Sequence, residues 1–169
     1  MQNIKISIAD IKNDFQYILP LLYDLQKQHA KMLPKLFRDV KSYEEFLELM
    51  EGAESQEDKI RLIKELDFFL LFKKDDLVIG CAYVQDKIRV ADTTFLEAHY
   101  LSVVYFIIDS QYRGQGLGEI FFFNLKNWAL DRGYTQMELS VLHDNKSAVA
   151  LYEKSGLIKE MLTMTCELK

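Results

Sequence analysis

The sequence has few cysteines and prolines and no long apolar run, and each absence excludes a class of protein. Its 2 cysteines, Cys81 and Cys166, lie about half a chain apart, which matches neither a disulfide framework nor a metal site. The longest apolar stretches, 68–72 and 101–108, are far shorter than the roughly 20 residues that cross a bilayer. We therefore predict two buried thiols, a soluble cytoplasmic protein and no membrane partner.

The charge balance argues against a nucleic-acid partner. The chain has 21 Lys+Arg against 26 Asp+Glu, a net charge of −5 over 169 residues, and no strongly basic arm. A general nucleic-acid binder needs many clustered cations to contact phosphates. The 3 histidines share no metal-ligand spacing, so we also predict that no metal is bound. The length suits one domain, over residues 1–169.

Hydrophobic periodicity predicts strands and helices in alternation. The strand patterns lie at 4–9, 68–73, 77–84, 100–108 and 135–142, with a last alternating segment at 161–168. The strand at 100–108 is apolar throughout and is therefore expected in the middle of the sheet. Strands with helices interspersed indicate an α/β or α+β single domain with a mixed sheet.

Capping and breaking residues set the expected helix bounds. A first helix runs through Leu19 and Leu25, with Pro20 either in its first turn or at a kink, and Pro34 separates it from the next. The Ser42/Glu45 pair predicts a second helix from Tyr43. Three more helices are predicted: at 55–65, after Gly118 as far as 132–133, and from Asp144 or Asn145 through Tyr152 to Gly156.

The most informative segment is a glycine-rich turn between the apolar strand and an amphipathic helix. It contains Gly114, Gly116 and Gly118, which let a ligand approach the main chain closely. The first N–H groups of a helix lack internal partners and favour an anion such as a phosphate. Glu119 stands where the Walker A loop needs Lys and where the Rossmann fingerprint needs its third Gly, so both patterns fail.

Two blocks of residues resemble a known family. The pattern Arg113-x-x-Gly116-x-Gly118 is similar to motif A (Gln/Arg-x-x-Gly-x-Gly/Ala) of the GNAT superfamily of N-acetyltransferases. Downstream, Asn145-x-x-Ala-x-x-x-Tyr152-x-x-x-Gly156-Leu157 resembles the family's Asn-x-x-Ala-x-x-x-Tyr-x-x-x-Gly-Phe signature, with Leu157 in place of Phe. The resemblance covers about residues 77–157 and is weak before them.

The resemblance implies a fold and a cosubstrate. The fold is a mixed, mostly antiparallel sheet of about six to seven strands, flanked by about four to five helices, with a splayed central strand pair. The cosubstrate is acetyl-coenzyme A (acetyl-CoA). Its pyrophosphate would bind the main-chain amides of the turn, and its pantetheine arm would bind the main chain of the preceding strand. The implied contacts are Phe106, Ile108, Arg113, Gly114, Gly116, Leu117, Gly118 and the side chain of Asn145.

The resemblance also implies an acid for catalysis, but it leaves the base open. Tyr152 is the expected general acid for the departing thiolate, since a phenol is protonated at neutral pH. The alternative is that Tyr152 only packs against Trp128. Family members often use a Glu of the central strands as the base, but residues 103–106 hold no carboxylate. The candidates are Glu97 and His99, then Asp109, or water alone.

We therefore expect an acetyl-CoA-dependent N-acetyltransferase that acts by direct transfer to a primary amine of a small molecule or peptide. Residues 31–43 would wall the acceptor pocket, and the protein could form a homodimer as many relatives do. The missing carboxylate motivates an alternative, a catalytically silent acyl-CoA-binding sensor or interaction module. A purely structural interaction protein is a third hypothesis.

Overall fold

The computed structural model describes residues 4–52 and 67–168, and its centre is one open sheet of five strands in the order β1-β2-β3-β4-β5. The strands are β1 (Ile4–Ile8), β2 (Asp67–Lys74), β3 (Leu77–Arg89), β4 (Ala98–Ile108) and β5 (Gln136–Leu139). The first three pairings are antiparallel, and β5 runs parallel to β4. The predicted mixed, mostly antiparallel sheet is confirmed, with five strands rather than six to seven.

In the described part of the chain four helices flank the sheet: α1 (Ile11–Met32), α2 (Tyr43–Gly52), α3 (Leu117–Leu130) and α4 (Lys146–Lys154). Pro20 lies inside α1, so of the two predicted positions the first turn is wrong and the helix interior is the one observed. The start of α2 at Tyr43 is confirmed. The Ser42 hydroxyl caps it by accepting from the Glu45 amide at 3.1 Å, and the Glu45 carboxylate accepts from the Lys41 amide at 2.7 Å. The helix predicted at 55–65 lies outside the described residues.

Each face of the sheet buries its own apolar cluster because side chains alternate along a strand. On β2, Leu70 and Phe72 pack toward α3, with Phe121, Phe122 and Leu125. Their neighbours Phe69 and Leu71 pack toward α1, with Ile18, Leu21, Cys81 and Ile107. Fully burying each of these large side chains stabilises the fold by about 1.5–3 kcal/mol. The helices are therefore held on opposite faces of β4.

The pairing of β4 with β5 is short and leaves a gap. Tyr100 to Val103 of β4 pair with Gln136 to Leu139 of β5, and β5 then ends while β4 continues to Ile108. The register of β4 on β3 also shifts, so that Val104 is an extra residue between two paired positions. Beyond this bulge, β4 has β3 on one side and an open edge on the other. The predicted splayed strand pair is confirmed.

The C-terminal segment differs from its prediction. Residues 161–168 alternate like a strand, but no described strand pairs with them, and Leu162, Met164 and Leu168 are exposed. An alternating pattern forms a stable strand only when a neighbouring strand supplies hydrogen bonds and packing. Cys166 lies in this segment and is exposed while Cys81 is buried, so the prediction of two buried thiols holds for one of them. No described helix is long and apolar enough to span a membrane.

Candidate active site

The glycine-rich turn after β4 has an open main-chain face. A short 3₁₀ turn (Ser110–Tyr112), capped by the Asp109 carboxylate, leads into it. Gly114 and Gly116 adopt φ values of 73° and 75°, a left-handed region that favours glycine. A Cβ built at either position would meet no atom within 4 Å. The space beside these two backbones is therefore open to a ligand.

Helix α3 begins directly after this turn and points its free amides into the same space. Gly116 is its N-cap residue and has no side chain to accept from the first-turn amides of Leu117 and Gly118. The helix is 14 residues long, and its dipole adds partial positive charge at this end. A Cβ added at Gly118 would lie 3.4 Å from Leu151, which shows that the turn is packed against α4. The amides and the open space together fit a pyrophosphate.

Arg113 is engaged within the protein. Its amide donates to the Ser110 carbonyl at 3.3 Å, and its Nε donates to the Ile108 carbonyl at 2.7 Å. Its guanidinium also pairs with the Asp24 carboxylate of α1. The structure therefore uses Arg113 to tie the turn to β4 and α1, and its contact with the cosubstrate stays a prediction.

The main chain of Phe106 and Ile108 faces the gap between β4 and β5. The Asp109 amide donates to the Ile79 carbonyl at 2.9 Å, so Asp109 bonds to the chain of β3. Every second residue at this end of β4 does the same, and Ile107 is therefore also hydrogen-bonded to β3. In an antiparallel ladder the intervening residues direct their N–H and C=O groups away from that neighbour. Phe106 and Ile108 are such residues and direct their main-chain groups to the open edge, where the Ile108 carbonyl already accepts from Arg113 Nε. Their contact with the pantetheine arm stays a prediction.

Tyr152 lies on α4 beside that gap. Its half-buried ring is 5.3 Å from the ring of Phe122 and 6.4 Å from that of Phe106, measured between centroids. The aromatic rings that face Trp128 are those of Phe68 and Tyr134. The alternative prediction, in which Tyr152 packs against Trp128, is therefore not what the ring contacts show. Burial raises the pKa of Tyr152 to about 12, which keeps the phenol protonated at neutral pH.

This raised pKa predicts a loss of stability in alkali that depends on Tyr152. Between pH 10 and 12 the unfolded chain ionises this phenol while the folded chain does not, so the free energy of unfolding falls as pH rises. At pH 11 the loss from Tyr152 is about 1 kcal/mol. Urea unfolding at pH 9 and pH 11 measures it, and Tyr152→Phe should lose less stability than the wild type. An equal loss in both proteins would contradict the assignment.

Asn145 is the N-cap of α4. Its side-chain oxygen accepts from the Ala148 amide at 3.2 Å and from the Ser147 hydroxyl at 3.1 Å. Such a cap stabilises a helix by about 1 kcal/mol. Asn145 therefore fixes the start of the helix that carries Tyr152, and a direct contact with the cosubstrate stays a prediction.

The structure places two of the candidate bases, Glu97 and His99, away from Tyr152. Glu97 is exposed ahead of β4, and His99 Nε2 lies 2.7 Å from the Asp86 carboxylate with its ring 4.8 Å from that of Tyr134. His99 is seven positions before Phe106 on β4, or about 23 Å along an extended strand. Asp109 caps the 3₁₀ turn. Direct proton transfer from His99 to a group beside Tyr152 is therefore out of reach.

A buried acid on the α1 face was missed by the sequence analysis. Asp67 is the buried charged residue of the described part of the chain, at 9% exposure. Its Oδ2 accepts from the Tyr83 hydroxyl at 2.7 Å and from Gln85 Nε2 at 3.1 Å. The sequence could have indicated this burial. Asp67 lies two residues before Phe69 and four before Leu71, so alternation along β2 puts all three side chains on one face.

A groove on the outer surface lies between α3 and α4, and its cations are engaged. Lys154 pairs with the Glu119 carboxylate at 2.7 Å, and Lys126 Nζ donates to the Ser155 carbonyl at 2.8 Å. Within residues 4–52 and 67–168 no group of three or more His, Cys, Asp or Glu side chains could hold a metal ion.

Comparison with known sequences identifies a family and two partial relatives. The sequence profile described as "Acetyltransferase (GNAT) family" matches residues 33–157. Residues of this chain are 42% identical over 57 positions to thialysine N-epsilon-acetyltransferase of Sus scrofa and 40% identical over 57 positions to that of Bos taurus. Each match spans 34% of this chain and 32% of the relative, so the chain matches about a third of each curated protein.

Comparison with solved structures shows the same fold. A mutant of the BH1408 protein from Bacillus halodurans superimposes with a TM-score of 0.77 at 18% identity, over 98% of this chain and 99% of that one. The aminoglycoside N-acetyltransferase AAC(6')-Iy, solved in complex with CoA, gives a TM-score of 0.65 at 12% identity, over 100% of this chain and 97% of that one. At such low sequence identities, the similarity shows that the fold is shared and nothing more.

Proposed function

Because the chain belongs to the GNAT acetyltransferase family, we propose that it transfers the acetyl group of acetyl-CoA directly to a primary amine of a small molecule or peptide. The observation that carries the proposal is the open turn at 114–118. Two left-handed glycines and the uncapped end of α3 direct main-chain amides into a space beside the gap in the sheet. That gap is flanked by Phe106 and Tyr152.

The chain's own groups would hold the cosubstrate at both ends of this region. The amides of Gly114, Gly116, Leu117 and Gly118 would bind the pyrophosphate, where they offset two negative charges that a net charge of −5 would otherwise repel. The gap-facing main chain of Phe106 and Ile108 would hold the pantetheine arm. Bound acetyl-CoA supplies the activated acetyl thioester.

Tyr152 is the general acid of this proposal. Its pKa of about 12 means that Oη carries its proton at neutral pH and can donate it to sulfur as the C–S bond breaks. The amine loses its own proton on forming the amide. Since Glu97 and His99 lie far from Tyr152 along β4, we propose that water takes up this proton.

Direct transfer fits the positions of the two thiols. Cys81 is buried on the α1 face, and its burial raises its pKa to about 12, which suppresses the nucleophilic thiolate. Cys166 is exposed in the C-terminal segment, away from the turn in sequence. The partial relatives are named for acetylation of the ε-amine of thialysine, which supports an alkyl amine as acceptor. A homodimer and a cytoplasmic location stay predictions.

A catalytically silent acyl-CoA sensor is the second candidate, because residues 103–106 lack a carboxylate and Glu97 and His99 lie far from Tyr152 along β4. One pair of measurements separates the two candidates. We expect acetyl-CoA at about 100 times its Kd to raise the melting temperature by about 5–10 °C. We then expect thiol release with members of a panel of primary amines. Stabilisation without turnover would favour the sensor, and no stabilisation at millimolar acetyl-CoA would exclude both.

A further inference from the structure

Asp67 and its neighbours form a cluster on the α1 face of the sheet that the transfer chemistry above does not use. The cluster consists of Asp67, Tyr83, Gln85 and Tyr105. Asp67 pairs with Gln85 across β2 and β3, and Gln85 pairs with Ser102 on β4. In the next row Phe69, Tyr83 and Tyr105 lie side by side. These side chains share one face, next to the bulge at Val104.

The acid at the base of this cluster is buried without a described counter-cation. No ion pair among the described residues includes Asp67, and its two hydrogen-bond donors are the neutral groups of Tyr83 and Gln85, both on Oδ2. No described residue donates to Oδ1. Burying a carboxylate is costly unless its charge is balanced, so an acid whose described donors are neutral marks a place where a cationic ligand gains an interaction.

The aromatic rings around the acid suit a cation as well. Tyr83 is stacked 4.7 Å from Phe69 and lies 5.9 Å from Tyr105, centroid to centroid, and Tyr105 is 36% exposed. The faces of such rings attract ammonium groups. Gln85 Nε2 also donates to the Tyr83 hydroxyl at 3.1 Å, which holds that hydroxyl and the acid in one network. The cluster is therefore ordered before any ligand arrives.

The cluster lies across the sheet from Tyr152. Tyr105 and Tyr83 face α1, whereas Phe106 and Tyr152 pack with the α3-side cluster. An amine that reaches the gap from the α1 face would approach the acetyl group opposite Tyr152, so that attack and protonation of the leaving group come from different sides.

We propose that Asp67, with Tyr83, Gln85 and Tyr105, binds a second, non-reacting ammonium group of the acceptor, so that the preferred acceptor is an alkyl diamine. This inference rests on the proposed function. Tyr105, the member of the cluster beside the gap, lies two strands across the sheet from Asp67 and two residues further along, or about 12 Å at ~4.8 Å per strand and ~3.3 Å per residue. Subtracting about 3 Å for the contact of ammonium with carboxylate leaves about 9 Å between the two nitrogens, a spacer of about six methylenes.

A matched pair of amines tests the proposal. Hexane-1,6-diamine and hexan-1-amine have the same chain and differ in the second amino group. The wild type should favour the diamine by about tenfold or more in kcat/KM, as expected for a hydrogen bond to a charged group. Asp67→Asn should remove this preference by raising the KM for the diamine while leaving the monoamine unchanged. Asp131→Asn, the same charge change at the exposed end of α3, should keep it.

Direct binding keeps the test decisive if turnover is too slow to measure. Calorimetry with CoA present should show that the wild type binds hexane-1,6-diamine at least about tenfold more tightly than Asp67→Asn does. Equal binding by the two proteins, no diamine binding by the wild type, or an undiminished preference in Asp67→Asn would overturn the site. Failure of acetyl-CoA to stabilise the protein would instead refute the proposed function. The diamine titration alone would not show this, so the two failures can be told apart.

Discussion

A Gly116→Ala variant is expected to lose acetyl-CoA binding and, with it, transfer activity. The φ of 75° at this position is costly for a residue with a Cβ, by about 1–2 kcal/mol. The new methyl would also project into the open space in which the amides of the turn converge, since no protein atom lies within 4 Å of it. We expect the affinity for acetyl-CoA to fall at least about tenfold through the loss of aligned charge-assisted hydrogen bonds.

Gly133→Ala is the matched control for this variant. Gly133 has a φ of 81° and equally open surroundings, but it lies at the far end of α3. Both variants should lose a similar amount of folding stability, and only Gly116→Ala should lose the thermal shift that acetyl-CoA produces. Equal thermal shifts in the two variants would show that the turn does not bind the cosubstrate.

A Tyr152→Phe variant is expected to lower kcat by about 10²–10⁴-fold, the usual contribution of a general acid. Its ring should keep the contacts with Phe122 and Phe106, so the fold and the affinity for acetyl-CoA should change little. Steady-state thiol release gives kcat, and calorimetry gives the affinity. The pH dependence supplies a further test, since no loss of activity from ionisation of Tyr152 is expected below about pH 11, given a pKa of about 12.

Tyr134→Phe is the control for loss of a buried phenol elsewhere. Tyr134 is also buried with a raised pKa, but it packs against Trp128 and His99 at the other end of β4. Its kcat should stay near that of the wild type. If Tyr152→Phe is as active as Tyr134→Phe, Tyr152 has only a packing role and the proton must come from solvent.

Much of the fold was predictable because it depends on short stretches of chain. The start of α2 at Tyr43 follows from the Ser42 cap, and the end of α3 follows from Gly133 with its left-handed φ of 81°. The strand before the glycine turn is apolar enough to be recognised as central. By contrast, the prediction for 161–168 failed because a strand needs a partner, and alternation does not say whether one is present.

The candidate site likewise has one part that was predictable from the sequence and one part that was not. The turn at 114–118 and the position of Tyr152 were readable because each belongs to a local motif whose glycines, cap and helix period act within a few residues. The choice of Glu97 and His99 used only nearness in sequence to the apolar strand, and an extended strand carries neighbours apart by about 3.3 Å per residue. That rule alone places His99 far from Phe106 once the strand is seen to run from Ala98 to Ile108.

By itself, the sequence determined the helix caps, the glycine conformations of the turn and the apolar strand that precedes it, because these depend on dihedral preferences and on hydrogen bonds between near neighbours. Only the tertiary structure decided that Arg113 pairs with Asp24, that His99 pairs with Asp86, and that Asp67 lies beneath Tyr83. Those contacts depend on strand register and on helix docking, which sum many weak packing interactions between residues that are distant in sequence.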